Sequence, residues 1–192
     1  YCKRFAKRRA EEPSVENASR RPVLHRPEPS EYAAYYGTYV DRVEEGDILD
    51  LLATQRDATV LTLGSIAEEK AGHAYAPHKW TIKEVVGHVV DVERVFAYRA
   101  LCFSRGETAP QPGFDQDAYV AAADFGRRAL RGIVDEFSRV RDASLALFRS
   151  FSDDAWLRRG VANQVEFTVR SIPYILAGHE VHHIAVISER YL

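Results

Sequence analysis

The stretch Ile175-Leu-Ala-Gly-His179-Glu-Val-His182-His183-Ile-Ala-Val-Ile187 sets three histidines inside an apolar run near the C-terminus. A helix advances ~100° per residue, which places His179 and His183 ~40° apart on one face. Ile172, Ile175, Leu176, Val186 and Ile187 share that face, so it is the one a helix would bury. Two imidazoles one turn apart on a buried face need partners, and a metal ion satisfies both at once.

A buried helix of this kind requires facing helices, and the rest of the chain supplies them. Trp80-Thr-Ile-Lys-Glu84 is a helix start, with Thr81 as N-cap and Glu84 three residues on as its capping-box partner. The pattern continues through Val85, His88, Val89, Val92, Phe96 and Arg99 to about Gly106, an amphipathic stripe that contains His88. Upstream, Gly46-Asp47 opens a helix carrying Ile48, Leu51, Leu52, Val60 and Leu63, which fades near residues 70–72. A third long helix is predicted over residues 124–151, with Leu130, Ile133, Val134, Phe137, Val140, Leu145 and Phe148 on its apolar face. The last runs from about 171 to 190, with Pro173 tolerated in its first turn.

Between these helices, residues 107–124 hold Pro110, Pro112 and Gly113 and read as a long loop with one helical turn at 116–121. The alternation Val165-Glu-Phe-Thr-Val169 suggests a short strand. A short helix with Tyr32, Tyr35, Tyr36 and Tyr39 is expected after Pro29-Ser30. There is no internal repeat and no alternation of strands and helices. The predicted fold is all-α: a four-helix bundle over residues 28–192, preceded by a short N-terminal helix and a disordered basic tail over residues 1–27.

Composition agrees with one soluble domain: 192 residues, 46% hydrophobic, 28% charged and a mean hydropathy of −0.32. No apolar run approaches the ~20 residues of a membrane span, and the first ten residues are too charged for a signal-peptide core. A cytoplasmic protein with no membrane partner is expected. Cys2 and Cys102 are expected as free thiols rather than a disulfide framework. With no methionine even at position 1, the natural chain is expected to start upstream of Tyr1. Residues 1–27 carry eight Lys/Arg against three Asp/Glu, and the remainder 18 against 25. An acidic body argues against a nucleic-acid partner.

A catalytic metal site has three protein ligands and an open position. His179 and His183 supply two, and His88, on the stripe of a facing helix, is the natural third. Histidine nitrogens suit one divalent transition metal per chain, zinc, nickel or iron, better than magnesium or calcium. His182 lies off the tightest stripe, as a donor beside the ligands or a surface residue, and His25, His73 and His78 are given no role. His179-Glu-Val-His-His183 also spells the metalloprotease pattern, with Glu180 as general base. A peptidase needs a cleft beside a sheet edge, and no such sheet is evident, so Glu180 is assigned no role. Arg99, Tyr98 and Phe114-Asp-Gln-Asp117 are candidates for the pocket rim, where the Arg99 guanidinium could hold a substrate carboxylate or else pair with a surface acid. Asp91 and Glu93 flank the site helix, and one of them could orient a ligand histidine.

Several blocks carry a wider resemblance: Gly46-Asp-Ile-Leu, Lys79-Trp-Thr-Ile-Lys-Glu-Val-Val-Gly-His88, Asp91-Val-Glu-Arg-Val-Phe-Ala-Tyr-Arg-Ala, Pro112-Gly-Phe-Asp, and Gly178-His-Glu-Val-His-His183 followed by Glu189-Arg-Tyr191. In order and spacing, residues 32–192 resemble the DinB/YfiT-like superfamily of metal-binding four-helix bundles. The resemblance is closest to the branch that includes bacillithiol S-transferases and proteins described as metal-dependent hydrolases. It implies His88, His179 and His183 as the ligands and a homodimer as the assembly. It departs from the family where His78 stands in place of a glycine. Such a site could hold a low-molecular-weight thiol as a metal-bound thiolate and direct it at a small electrophile, which the resemblance favours. It could instead use metal-bound hydroxide for hydrolysis, or hold the metal without catalysis.

Overall fold

The computed structural model describes residues 24–192. Most of the expected basic tail, with Cys2, therefore lies outside the described residues. The last residues of that stretch are packed rather than free. Arg26 donates through Nη1 to the Val40 carbonyl at 2.6 Å and through Nη2 to that of Val43 at 2.5 Å, and Tyr174 Oη donates to the Leu24 carbonyl.

Eight α-helices and one β-hairpin follow among the described residues: α1 (Ala34–Val40), α2 (Ile48–Gly64), α3 (Glu68–Ala71), α4 (Ile82–Ser104), α5 (Gln116–Ala123), α6 (Leu130–Arg149), α7 (Asp153–Leu157), β1 (Arg159–Ala162), β2 (Val165–Thr168) and α8 (Ser171–Arg190). The long helices α2, α4, α6 and α8 form the bundle. Both α4 and α2 pack on α6 and on α8, and α1 lies along α8. The fold is the expected all-α four-helix bundle with a short helix before it.

The local chemistry sets the helix starts. Asp47 caps α2 by accepting from the Leu49 and Asp50 N–H groups. Thr81 and Glu84 close the capping box of α4, with the Thr81 N–H donating to Glu84 Oε2 at 2.7 Å and the Glu84 N–H to Thr81 Oγ1 at 3.3 Å. The third long helix begins at Leu130, later than predicted: α5 stops at Asp124, whose left-handed backbone breaks the run, and Ala129 offers no side-chain cap. Glu68, the first residue of α3, supplies that cap instead, accepting from the Leu130 N–H at 2.9 Å while Lys83 neutralises it at 2.6 Å. The first long helix ends at Gly64, earlier than predicted, and α3 restarts separately at Glu68.

The predicted strand is β2, paired antiparallel with β1 in a register that sets Val161 opposite Glu166. Asn163 and Gln164, at φ 51° and 62°, make the two-residue turn between them. The loop ahead of α5 leans on this hairpin: the Gln111 N–H donates to the Val161 carbonyl and the Asn163 N–H to that of Gln111. A large apolar cluster built on Phe96, Phe103, Phe148, Trp156 and Phe167 fills one end of the bundle. A second, with Ile82, Val86, Phe125, Ile133 and Ile187, fills the other. The histidines sit between the two.

Candidate metal centre

His88 comes from the second turn of α4, and His179 and His183 from successive turns of α8. The packing of α4 on α8 brings all three together. His88 Nε2 and His183 Nε2 each stand 3.1 Å from His179 Nε2, and one ligand atom from each ring lies within 4.8 Å of the others. A tetrahedral metal with nitrogen bonds of about 2.0–2.1 Å would set its ligand nitrogens about 3.3–3.4 Å apart, so the spacing fits a shared ion. Hydrogen bonding alone does not satisfy the trio. A ring nitrogen is either one donor or one acceptor, so His179 Nε2 cannot make two good hydrogen bonds at once.

His88 and His179 are buried and His183 is half-buried. Burial lowers the His88 imidazole to about 4. Burial, with repulsion from His88 and His182, lowers that of His183 to about 3, and burial with repulsion from His183, His88 and His182 holds that of His179 well below its ordinary value. At neutral pH all three rings are uncharged, the form a metal requires. The Trp80 ring lies 4.8 Å from that of His88, and the Tyr39 ring 5.3 Å from that of His179, which restricts how the imidazoles can turn.

Two cavities meet these histidines. One, of about 160 Å³, is bounded by Tyr36, Tyr39, Phe96, Arg99, Phe114 and His179. The other, of about 300 Å³, is bounded by His78, Lys79, Trp80, Asp117, His182 and His183. No aspartate, glutamate or cysteine joins the histidine group among the described residues, which leaves an open side.

Residues 51–187 match the family model of the DinB superfamily, a span that includes all three histidines. The chain belongs to the DinB superfamily. No curated protein matches it in sequence. Among solved structures it is similar to YfiT from Bacillus subtilis, described as a probable metal-dependent hydrolase with an unusual four-helix bundle topology. The TM-score is 0.65 at 18% identity, over 86% of this chain and 90% of that one. At that identity the likeness speaks for a shared fold alone.

The other expected site residues divide. Arg99 is not at a rim but in the cavity wall, 3% exposed, with Phe114 and Gln116 beside it. Tyr98, one residue away, faces outward at 58% exposure. Asp115 is occupied as the N-cap of α5, and Asp117 borders the second cavity. Neither Asp91 nor Glu93 makes a hydrogen bond to a ligand histidine. Asp91 lies by Arg94, and Glu93 is buried against Arg141, which it meets through two contacts of 2.8 Å. Glu180 also turns to Arg141, so it does not reach the histidines as a general base would. His182 packs beside Tyr39 and His183 at the mouth of the second cavity.

Tyr36, Tyr39, Trp80 and Asn163 border these cavities and have no role among the expectations from sequence. The i, i+1, i+4 spacing of Tyr35, Tyr36 and Tyr39 was a usable signal for the first cavity, and the adjacency of Trp80 to the start of α4 for the second. Asn163 carried none, because it reaches the cavity only through the hairpin turn.

Proposed function

We propose that this DinB-superfamily chain is an enzyme that transfers a low-molecular-weight thiol to a small electrophile at the His88, His179 and His183 site. The observation that carries the reading is the pair of cavities, one meeting His179 and the other His183, which lets two organic molecules approach one centre. Three neutral, convergent imidazoles with an open side fit a divalent zinc, nickel or iron ion. Such an ion, when bound, supplies Lewis acidity that brings the ionisation of a thiol or water towards neutral pH.

This chain's own residues supply the rest. The histidines hold one fixed geometry because Trp80 and Tyr39 pack on their rings. Phe96 and Phe114 give the first cavity apolar walls, which keep water from competing with the thiol. In the reaction a sulfur–carbon bond forms as the bond from that carbon to its leaving group breaks. The leaving group departs with the electron pair, and the thiol proton passes to solvent. Hydrolysis is the second reading, and the description of YfiT as a probable metal-dependent hydrolase favours it.

Turnover separates the two. The purified protein is incubated with cysteine, glutathione, coenzyme A and amino-sugar thiols, each with 1-chloro-2,4-dinitrobenzene, and separately with nitrophenyl esters and anilides. Thiol-dependent turnover that is lost in His179→Ala is expected. Cleavage of esters or anilides with no thiol reaction would overturn transfer in favour of hydrolysis.

A further inference from the structure

Eleven residues of helix return to within ~20° of the starting direction, about 16 Å along the axis, so Arg99 sits on the same face of α4 as His88, three turns on. Val92 and Phe96 lie between them and, with Arg99, line the cavity that His179 borders. That cavity has a reactive end at the histidines and a cationic end at Arg99, the one charged side chain among the described residues that line it.

Among the described residues, Arg99 is buried without a counter-ion. Nη2 donates to the Pro112 carbonyl at 3.0 Å, Nε is buried with no partner, and no carboxylate pairs with the guanidinium among the described residues. Its central carbon stands 4.9 Å from the centre of the Phe96 ring and 5.9 Å from that of Phe114. The contrast is Arg141, also buried, which has two carboxylates of its own. Desolvating a guanidinium with an open donor is unfavourable unless something arrives to pair with it.

We propose that Arg99 anchors the carboxylate of an aromatic acceptor substrate, which lies along α4 with its reactive carbon towards His179. The planar fork of Arg99 matches a carboxylate. One positive charge in an otherwise uncharged lining suits a monoanion, whereas a phosphate dianion would leave a buried charge unmatched. The ring belongs between Phe96 and the tyrosines: a cavity of about 150 Å³ accommodates benzene, so the volume here suits a single ring with a short chain. The inference rests on the proposed transfer reading only for which end of the ligand reacts.

Calorimetric titration of the full chain tests it without turnover. The probes are benzoate, phenylacetate, 3-phenylpropionate and 4-phenylbutyrate, each beside its primary amide. At least one acid is expected to bind about ten-fold or more tightly than its amide, the effect of one charge-assisted hydrogen bond. Arg99→Gln removes that preference while its metal content stays as in the parent chain, and Arg99→Lys keeps part of it. If no acid exceeds its amide, including the case in which neither binds, the proposal is overturned. It is equally overturned if Arg99→Gln, or Arg99→Lys should the former not fold, leaves the preference undiminished. An acid preference in a protein with no thiol turnover supports the anchor and removes only the transfer reading.

Discussion

Arg141 Nη2 donates to Glu180 Oε2 at 2.8 Å, immediately behind the ligand His179 on α8. The same guanidinium meets Glu93 on α4 and donates to the Leu52 carbonyl on α2 at 3.1 Å, so one arginine of α6 joins all four long helices. Both carboxylates hold it charged, although burial pulls the other way, and burial pushes the Glu180 carboxyl up. Replacing Arg141 with Met leaves two carboxylates buried together without a cation. Urea denaturation should show a loss of about 3–5 kcal/mol, typical of breaking a buried ion pair by removing one partner. A loss under about 1 kcal/mol would mean the triad does not hold the helices.

Acid should weaken the metal-free protein. The folded chain keeps His88 near about 4 and His183 near about 3, against 6.5 for an unhindered imidazole. The unfolded chain therefore takes up protons first as pH drops. The contribution of the neutral rings is fully present above 6.5 and declines as pH falls from there towards the folded values. Denaturation midpoints measured between pH 7.5 and 4.5 should fall, and fall less in a His88→Leu/His183→Leu variant. Parallel curves for the two proteins would contradict the burial of neutral rings.

Glu31 gives a second, lower acid window. Burial pushes its carboxyl up, but hydrogen bonds from Arg170, the Glu28 N–H and Thr168 outweigh that and bring it down to about 2. Thr168 Oγ1 and Arg170 Nε each donate to Glu31 Oε2 at 2.7 Å, tying the segment before α1 to β2 and to the N-cap of α8. With a lowered folded value, its contribution is complete above the ordinary 4.5 and is lost as pH falls towards about 2. Glu31→Gln should cost about 1.5–3 kcal/mol at pH 7, and thermal melts should show the difference from the parent chain closing below pH 4.

Gly178 is required by close packing. A Cβ there would stand 1.9 Å from the Tyr39 carbonyl oxygen, a backbone atom that cannot rotate away. Gly178→Ala should force α1 off α8 and with it the Tyr39 ring off His179. A loss of about 1–3 kcal/mol, in the range of overpacked cores, is expected, together with faster release of bound metal to a chelator. An alanine variant with unchanged melting and metal retention would contradict this packing.

The parts of the fold legible in the sequence were those decided within a few residues. The Thr81–Glu84 box, the helix start at Gly46-Asp47 and the histidine spacing on α8 are local patterns, and the structure carries all three. The start of α6 was not legible, because its cap is Glu68, sixty-two residues upstream. The same limit hid the partners of Arg141, since nothing near Glu93 or Glu180 in sequence announces a guanidinium from α6. Arg99 was marked for its charge and its place on the His88 stripe, but its burial depends on the loop at Pro112 folding over it. The site was therefore readable where two helical periodicities met, and unreadable where loops closed over it.

The central claim is that His88, His179 and His183 hold one divalent transition metal. Its most direct test is elemental analysis of the full chain, purified without chelator, beside a His179→Ala/His183→Ala variant shown by circular dichroism to remain helical. About one zinc, nickel or iron per parent chain, and essentially none in the variant, is the predicted result. A parent chain without metal even after incubation with each ion, or a variant that keeps its full complement, would contradict the account.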